Sequence, residues 1–218
     1  MSKVLEVGII GLGKFGFSLA TTLLELGHKV LGVDRSQARV RMAGETISLA
    51  YEGDATDKAM LEQLRLQDMD HVVVSSGQSM EASILISLNL LELGVKELWV
   101  KANSVEHETV LTRLGVRHVL FPEQLMARQL GHSLALPGLL DFLPFGGGAL
   151  LQEFTVDAWH GRTLRDLNLT SKYEVQIVAI KAVDAADYRF VPPADQPLSR
   201  GDRLVAVGKA ENIAKLVA

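Results

Sequence analysis

Short apolar runs alternate with helical spacing of apolar residues through the first part of the chain. The runs predict strands at Val4–Ile10, Lys29–Val33, Thr46–Ala50, His71–Ser75, Leu98–Val100 and Val116–Phe121. Apolar residues three and four positions apart predict helices at Phe15–Leu26, Glu81–Leu93, Val105–Leu114 and Glu123–Leu134. Alternation of strand and helix indicates βαβ units and a parallel sheet with helices on both faces. We therefore predict a Rossmann-like, doubly wound α/β domain over residues 1–135.

The pattern changes in the rest of the chain. Residues 136–148 combine proline, glycine and large apolar residues with little charge, which predicts a crossing or linking segment. Residues 149–218 predict a small α+β C-terminal domain. Its strands are predicted at Leu150–Val156, Val175–Lys181, Tyr188–Val191 and Arg203–Val207, and its helices at Thr163–Leu167 and Ala210–Val217.

The linking segment is too apolar for a solvated linker. Its large apolar residues are Leu139, Leu140, Phe142, Leu143 and Phe145. Crowded apolar groups seldom stay exposed, so they pack either on this chain's own domain or against a second subunit. The sequence leaves both interpretations open and favours the second subunit.

Composition narrows the classes of function. The chain has 22 basic and 26 acidic residues and a net charge of −4, and neither domain is basic. Nucleic acid and anionic lipid are therefore not expected as partners. Cysteine is absent, which excludes disulfides, thiolate metal sites and a cysteine nucleophile. We expect a cytoplasmic protein without a signal peptide or a membrane-spanning helix. All six prolines lie at or after Pro122, as short connections in the first domain would produce.

The strongest motif is Gly11-Leu12-Gly13-Lys14-Phe15-Gly16, between the first predicted strand and the first helix. In this motif the first glycine forms a tight turn, the second lets a phosphate approach the backbone, and the third packs the helix on the strand. The helix N-terminus then offers N–H groups and partial positive charge to phosphates. Lys14 adds a cation that could reach an outer phosphate, although a solvated lysine is the alternative interpretation.

An acidic residue completes this fingerprint. Asp34 ends the second predicted strand, where a carboxylate accepts hydrogen bonds from ribose hydroxyls. Polar turns also follow the next three strands, at Gly53–Thr56, Ser75–Gly77 and Lys101-Ala102. Ligands bind at the carboxyl ends of strands in such sheets, so the sequence predicts one nucleotide pocket along this edge.

These stretches resemble the regulator-of-potassium-conductance (RCK/KTN) family. The resemblance rests on GLGKFG, VDR, GDAT, VVVSSG, WVKA and LFPE in the first domain, and on GRTLRDLNL, SKYEVQIVAI and SRGDRLVAVG in the second. It covers nearly the whole chain and is most specific to the cytosolic regulatory subunits of Ktr/Trk-type potassium uptake systems. It implies a homodimer that assembles into an octameric ring on a membrane potassium translocator subunit. It also implies that ATP and ADP compete for the Rossmann pocket and gate ion flux, and that some members bind NAD(H).

The resemblance assigns roles residue by residue. Besides the glycine loop, it places the following residues around the nucleotide: Lys14 at the outer phosphate, Asp34 at the ribose, Arg35, Asp54, Ala55, Ser76 and Gly77 near the adenosine, and Lys101 near the phosphates. Glu123 matches a glutamate that in some members helps bind Mg²⁺ or Ca²⁺ with the γ-phosphate at the dimer interface. The chain departs from members that bind cyclic di-AMP, because Thr170 and Gln176 replace an arginine and an asparagine. Cyclic di-AMP is therefore not expected as a ligand.

Two other functions compete with a non-enzymatic regulator. An NAD-dependent oxidoreductase needs a proton-transfer group beside the nicotinamide, and none of the six histidines has a recognisable catalytic setting. A redox-sensing transcription factor needs a basic DNA-binding module, which this acidic chain does not provide.

Overall fold

The computed structural model describes residues 3–75, 79–135 and 148–216, and the backbone of residues 139–142. The chain divides into two compact units, Met1–Pro122 (unit 1) and Glu123–Ala218 (unit 2). The predicted residues Ser76 and Gly77 lie outside the described residues. So do Leu143, Phe145 and the side chains of Leu139, Leu140 and Phe142.

Unit 1 contains a six-stranded sheet in the order β3-β2-β1-β4-β5-β6, with every neighbouring pair parallel. The strands are β1 (Glu6–Ile10), β2 (Lys29–Asp34), β3 (Leu49–Glu52), β4 (His71–Val74), β5 (Leu98–Lys101) and β6 (His118–Leu120). The helices are α1 (Lys14–Glu25), α2 (Gln37–Ala43), α3 (Lys58–Gln63), α4 (Met80–Glu92) and α5 (Val105–Arg113), with a 3₁₀ turn at Leu66–Asp68. This strand order is that of a dinucleotide-binding sheet, and the predicted doubly wound α/β fold is confirmed.

The sheet is buried on both faces, as its continuous apolar runs predict. Residues 7–10 of β1 are all buried. On one face of the sheet Ile10 packs in a cluster with Val33 and Leu90, and on the other face Ile9 packs in a cluster with Ile47. Parallel strands covered on both faces lack the polar alternation of half-exposed strands. From β1 the chain first adds β2 and β3 on one side and then β4, β5 and β6 on the other. Such a change of direction places a crevice at the carboxyl ends of the central strands.

The boundaries of unit 1 differ from the prediction at several elements, three kinds of which have a physical reason. The third strand was predicted at Thr46–Ala50 but forms at Leu49–Glu52, because the fully buried Ile47 contributes to the core from the preceding turn. The first strand begins at Glu6 rather than Val4, which is exposed. The helices α2 and α3 were not predicted, since they are only 7 and 6 residues long and too short for a helical period to show.

Unit 2 contains α6 (Pro122–Ala135, which begins at the last residue of unit 1) and a five-stranded antiparallel sheet in the order β10-β9-β11-β8-β7. The strands are β7 (Leu139–Phe142), β8 (Ala149–Thr155), β9 (Gln176–Lys181), β10 (Arg189–Phe190) and β11 (Arg203–Lys209). Short helices follow at α7 (Leu164–Leu167), α8 (Leu169–Tyr173) and α9 (Ala210–Ile213). The core is apolar and includes the fully buried Leu150, Leu204 and Ile213. The predicted small α+β domain is confirmed.

The predicted linking segment 136–148 needs a correction, because residues 139–142 form β7 and pair with β8. The proline and glycine residues of this segment made a strand hard to predict. The backbone of the short apolar strand pairs with that of the neighbouring strand β8. The predicted first domain ended at residue 135, whereas unit 1 ends at Pro122 and α6 falls mostly in unit 2. The helical period of α6 made it look like another helix of the α/β domain, but the described helix contains no buried residue.

Within the described residues, helices are too short or too polar to cross a bilayer.

Candidate functional site

The glycine loop connects β1 to α1 at the point where the strand order reverses. Gly11 adopts φ 96°, a left-handed conformation that favours glycine, and its N–H donates to the Val33 carbonyl at 2.7 Å. A methyl group on Gly16 would lie 2.0 Å from the Gly11 carbonyl oxygen and 2.5 Å from Ser75 Oγ. At Gly13, by contrast, a methyl group would meet no heavy atom of the described residues within 4 Å apart from its own chain neighbours. Packing therefore requires glycine at position 16 but leaves the surface over Gly13 open.

The first turn of α1 faces this open surface. Gly13 is the N-cap residue and provides no side chain to cap the first N–H groups of the helix. Uncapped N–H groups at the end of a helix dipole are the usual ligands of a phosphate. Lys14 is the first helical residue and its side chain is exposed. A cation at this end of a helix is unfavourable in isolation, so an anion beside it would be stabilising.

Asp34, at the end of β2, is hydrogen-bonded to the glycine loop. Its Oδ2 accepts the Leu12 N–H at 2.8 Å, and its Oδ1 accepts the Ser36 N–H at 2.8 Å. Arg39 Nη1 lies 3.4 Å from the same Oδ2, and the Asp34 side chain is only 4% exposed. The predicted ribose-binding carboxylate therefore also holds the loop in place.

The end of β5 reaches the same loop from the other side of β1. Lys101 Nζ lies 5.9 Å from the centre of the Phe15 ring, within the range of a cation–π interaction. At the end of β4, Ser75 Oγ donates to the Gly11 carbonyl at 2.5 Å. Lys101 is thus placed beside the glycine loop together with Phe15.

The turn after β3 contributes the next group of predicted residues. The Gly53 N–H donates to the Asp34 carbonyl at 3.1 Å, which places this turn beside the end of β2. Asp54 Oδ1 accepts the Thr56 N–H at 3.0 Å and the Thr56 hydroxyl at 2.8 Å, and these bonds lower the pKa of Asp54. Arg35 lowers it further through its positive charge, while Ala55 is buried. Asp34, Arg35, Asp54 and Ala55 therefore gather at one corner of the sheet edge.

Leu12, Arg39 and Ser75 contact predicted site residues, although the sequence assigned them no role in nucleotide binding. Leu12 acts through its backbone N–H, which its side-chain type does not reveal. Ser75 had a usable signal, since it directly follows a buried strand. Arg39 had no such signal, because the short helix α2 that contains it was not predicted.

Glu123 lies in the first turn of α6. In the described part of the chain, no cluster of three or more histidine, aspartate or glutamate side chains could hold a metal ion. The interface cation therefore stays a prediction.

Two further polar sites serve local structure. His107 is buried, its Nδ1 lies 3.1 Å from Asn103 Oδ1, and burial lowers its pKa. In unit 2 the Thr170 hydroxyl donates to Gln176 Oε1 at 2.9 Å, and Gln176 Nε2 donates to the Ile177 carbonyl at 3.1 Å. The polar groups of Gln176 are thus bonded within the chain.

Comparison with known proteins identifies both units. The TrkA-N domain matches residues 7–122 and the TrkA-C domain matches residues 151–218. Ktr system potassium uptake protein C of Bacillus subtilis (strain 168) is 36% identical over 211 residues, which are 96% of this chain and 95% of that protein. Ktr system potassium uptake protein A of Vibrio alginolyticus is 33% identical over 210 residues, covering 96% of this chain and 94% of that protein.

A solved structure shares the fold. The GsuK channel bound to NAD superposes with a TM-score of 0.56 at 24% identity. The match covers 98% of this chain but only 38% of the channel chain, so it concerns the fold alone.

Proposed function

Since the chain belongs to the family built from a TrkA-N and a TrkA-C domain, we propose that it is a nucleotide-sensing regulatory subunit of a Ktr/Trk-type potassium uptake system. The observation that carries the proposal is the contrast within the glycine loop. Gly16 is enclosed by its neighbours, whereas a methyl group on Gly13 would meet no described atom within 4 Å beside an uncapped helix N-terminus. That combination suits the phosphates of ATP or ADP.

The chain offers separate groups to each part of the nucleotide. The N–H groups at the start of α1 bind phosphate, and the exposed Lys14 and the nearby Lys101 supply positive charge. Asp34 accepts from the ribose, with Arg35 and Asp54 lining the adenosine side. Binding in this way needs only hydrogen bonds and charge contacts, and it requires no proton or hydride transfer.

Gating follows from differential binding. A nucleotide shifts an equilibrium between two assembly shapes only if it binds one shape more tightly than the other. The γ-phosphate distinguishes ATP from ADP, and Lys14 is the exposed cation at the loop that could distinguish them. Exchange of ATP for ADP would then change the shape of a homo-oligomeric ring, with a dimer as its building block and an octamer as its full form.

The partner in this proposal is a separate membrane translocator for potassium, reached from the cytoplasm. The described helix α6 exposes large apolar residues along its length: Leu125, Met126, Leu130 and Leu134. Large exposed apolar groups on one helix are typical of association surfaces. In this proposal the subunit acts by contact with other chains and catalyses no reaction.

Nucleotide titration tests the pocket. We expect ATP and ADP to bind the wild-type protein, and NADH is included because the GsuK channel of similar fold binds NAD. Asp34→Ala should weaken binding at least tenfold, since a hydrogen bond to a charged group contributes about 1.5–3 kcal/mol. Asp157→Ala, an exposed aspartate of unit 2, is the matched control and should bind normally. Undiminished binding by Asp34→Ala would contradict the pocket.

Flux measurement tests the regulatory role. The chain is expressed with and without a Ktr-type translocator in cells that lack their own potassium uptake. Potassium uptake should depend on the chain and should respond less to the ATP/ADP ratio when Asp34 is replaced. Uptake that is the same with and without the chain would refute the regulatory proposal, and NADH oxidation with small carbonyl substrates would instead support an oxidoreductase.

A further inference from the structure

Arg39 lies at the end of its helix where a positive charge is unfavourable. It lies in the first turn of α2 (Gln37–Ala43), where the partial positive charge of the helix end opposes a basic side chain. Its Nη1 nevertheless lies 3.4 Å from Asp34 Oδ2. The Arg39 side chain is 40% exposed and the Asp34 side chain 4% exposed, so the guanidinium covers a carboxylate that is otherwise enclosed.

The carboxylate of Asp34 already accepts several hydrogen bonds from within the chain. A carboxylate offers about four lone-pair positions. Leu12 N–H and Arg39 share Oδ2, and Ser36 N–H takes one position on Oδ1. About one acceptor position is then left, on Oδ1, for a ribose hydroxyl. The orientation of the carboxylate decides where that position points.

On the basis of the proposed nucleotide site, we infer that Arg39 is a positioning residue that orients Asp34 toward the ribose. The two backbone N–H groups bind the two oxygens, and the guanidinium fixes the rotation of Oδ2 from the exposed side. The positive charge also offsets the buried negative charge of Asp34 beside an anionic nucleotide. Removal of Arg39 should therefore affect recognition of the ribose hydroxyls more than recognition of the phosphates.

A comparison of two nucleotides separates this role from a purely structural one. Dissociation constants for ATP and for 2′,3′-dideoxy-ATP, which lacks both ribose hydroxyls, are measured by calorimetry. Wild-type protein should prefer ATP roughly tenfold, the effect of one hydrogen bond to a charged group. Arg39→Gln should reduce that preference to about threefold or less, and Arg39→Lys, which keeps the charge, should retain more of it.

Arg41→Gln is the matched control, because Arg41 is an exposed arginine on the same helix. It should leave the preference for ATP unchanged. Arg39→Met keeps the aliphatic stem and replaces Arg39→Gln if the latter fails to fold, as judged by circular dichroism.

The inference is overturned if Arg39→Gln and Arg39→Met keep the wild-type preference, whether both affinities fall equally or neither changes. Wild-type protein that binds neither nucleotide overturns both this inference and the proposed function. Wild-type binding with an unchanged preference in the variants overturns the role of Arg39 alone.

Discussion

At the scale of single residues, the glycine loop contains two glycines with opposite requirements. A methyl group on Gly16 would overlap the Gly11 carbonyl oxygen at 2.0 Å, and that oxygen belongs to the backbone and cannot rotate away. Gly16→Ala should therefore destabilise the protein by about 1–3 kcal/mol or more, as overpacking does. Urea unfolding of wild type and variant measures the change, and a variant as stable as wild type would show that the loop can shift to admit the methyl group.

Gly13→Ala should behave in the opposite way. Its methyl group meets no atom of the described residues beyond its own chain neighbours within 4 Å, so the free energy of unfolding should fall by no more than about 1 kcal/mol, the difference between glycine and alanine as an N-cap residue. The same methyl group occupies the surface proposed for the phosphates and should weaken ATP binding at least tenfold. Gly131→Ala, which also adds an unhindered methyl group, should leave ATP binding unchanged. Equal ATP affinity of Gly13→Ala and wild type would argue against a phosphate at this surface.

His107 should make stability depend on pH. Burial lowers its pKa in the folded chain below the ordinary value of about 6.5. As the pH falls below 6.5, the unfolded chain takes up a proton that the folded chain does not bind, so the free energy of unfolding should fall. Above pH 6.5 this contribution to stability is complete.

His107→Gln should remove part of that dependence between pH 7 and pH 5. Urea unfolding followed by Trp99 fluorescence, in a Trp159→Phe background, reports on the unit that contains His107. His160→Gln, which changes an exposed histidine, should keep the wild-type slope. A slope unchanged in His107→Gln would mean that His107 binds its proton equally well in both states.

At the scale of secondary-structure elements, the end of strand β10 contains an unfavourable backbone conformation. Val191 follows this strand with φ 52° and is 85% exposed, and its N–H donates to the Val178 carbonyl at 2.9 Å. A left-handed conformation is costly for a β-branched residue, whereas asparagine tolerates it. Val191→Asn should raise the free energy of unfolding by about 1 kcal/mol.

The matched control is Val183→Asn, at a valine that is also exposed but is absent from the left-handed region. Thermal melting should show a higher midpoint for Val191→Asn and little change for Val183→Asn. Equal effects of the two substitutions would show that replacing an exposed apolar side chain by a polar one, and not the backbone conformation, changes the stability.

The elements that the sequence predicted best are those with a long, uniform pattern. Strand β1 and helix α1 were found because a fully apolar run meets a glycine motif and a 12-residue helical period. The short α2 escaped prediction, and with it the contact between Arg39 and Asp34. The residue types at the strand ends suggested a common pocket, but hydrogen bonds such as Ser75 to Gly11, 64 residues apart, depend on strand register that local patterns do not contain.

The strand β7 shows the same limit in unit 2. Its residues looked like a link because proline and glycine flank them, and they form a strand because β8 offers a partner for their backbone. Local propensity is a weak guide where pairing with a distant segment decides the structure.

At the scale of the protein, each unit contains one tryptophan, so the effect of a nucleotide on stability can be assigned to one unit or the other. Trp99 lies in β5 of unit 1, and Trp159 packs edge-on against Phe154 in unit 2. A ligand that binds only the folded state stabilises it by RT ln(1 + [L]/Kd), about 2.7 kcal/mol at a hundredfold excess over Kd. If ATP binds the glycine loop, this stabilisation originates in unit 1.

ATP at that concentration should therefore delay unfolding as reported by Trp99 in the Trp159→Phe variant. In the Trp99→Phe variant the Trp159 signal should shift by the same amount only if the two units unfold cooperatively, and by less if they unfold separately. Either result is compatible with a site in unit 1 and measures how strongly the units are coupled. A shift confined to the Trp159 signal would place the nucleotide in unit 2. A bound ligand stabilises the folded unit that binds it, so it cannot stabilise the other unit while leaving its own unit unchanged.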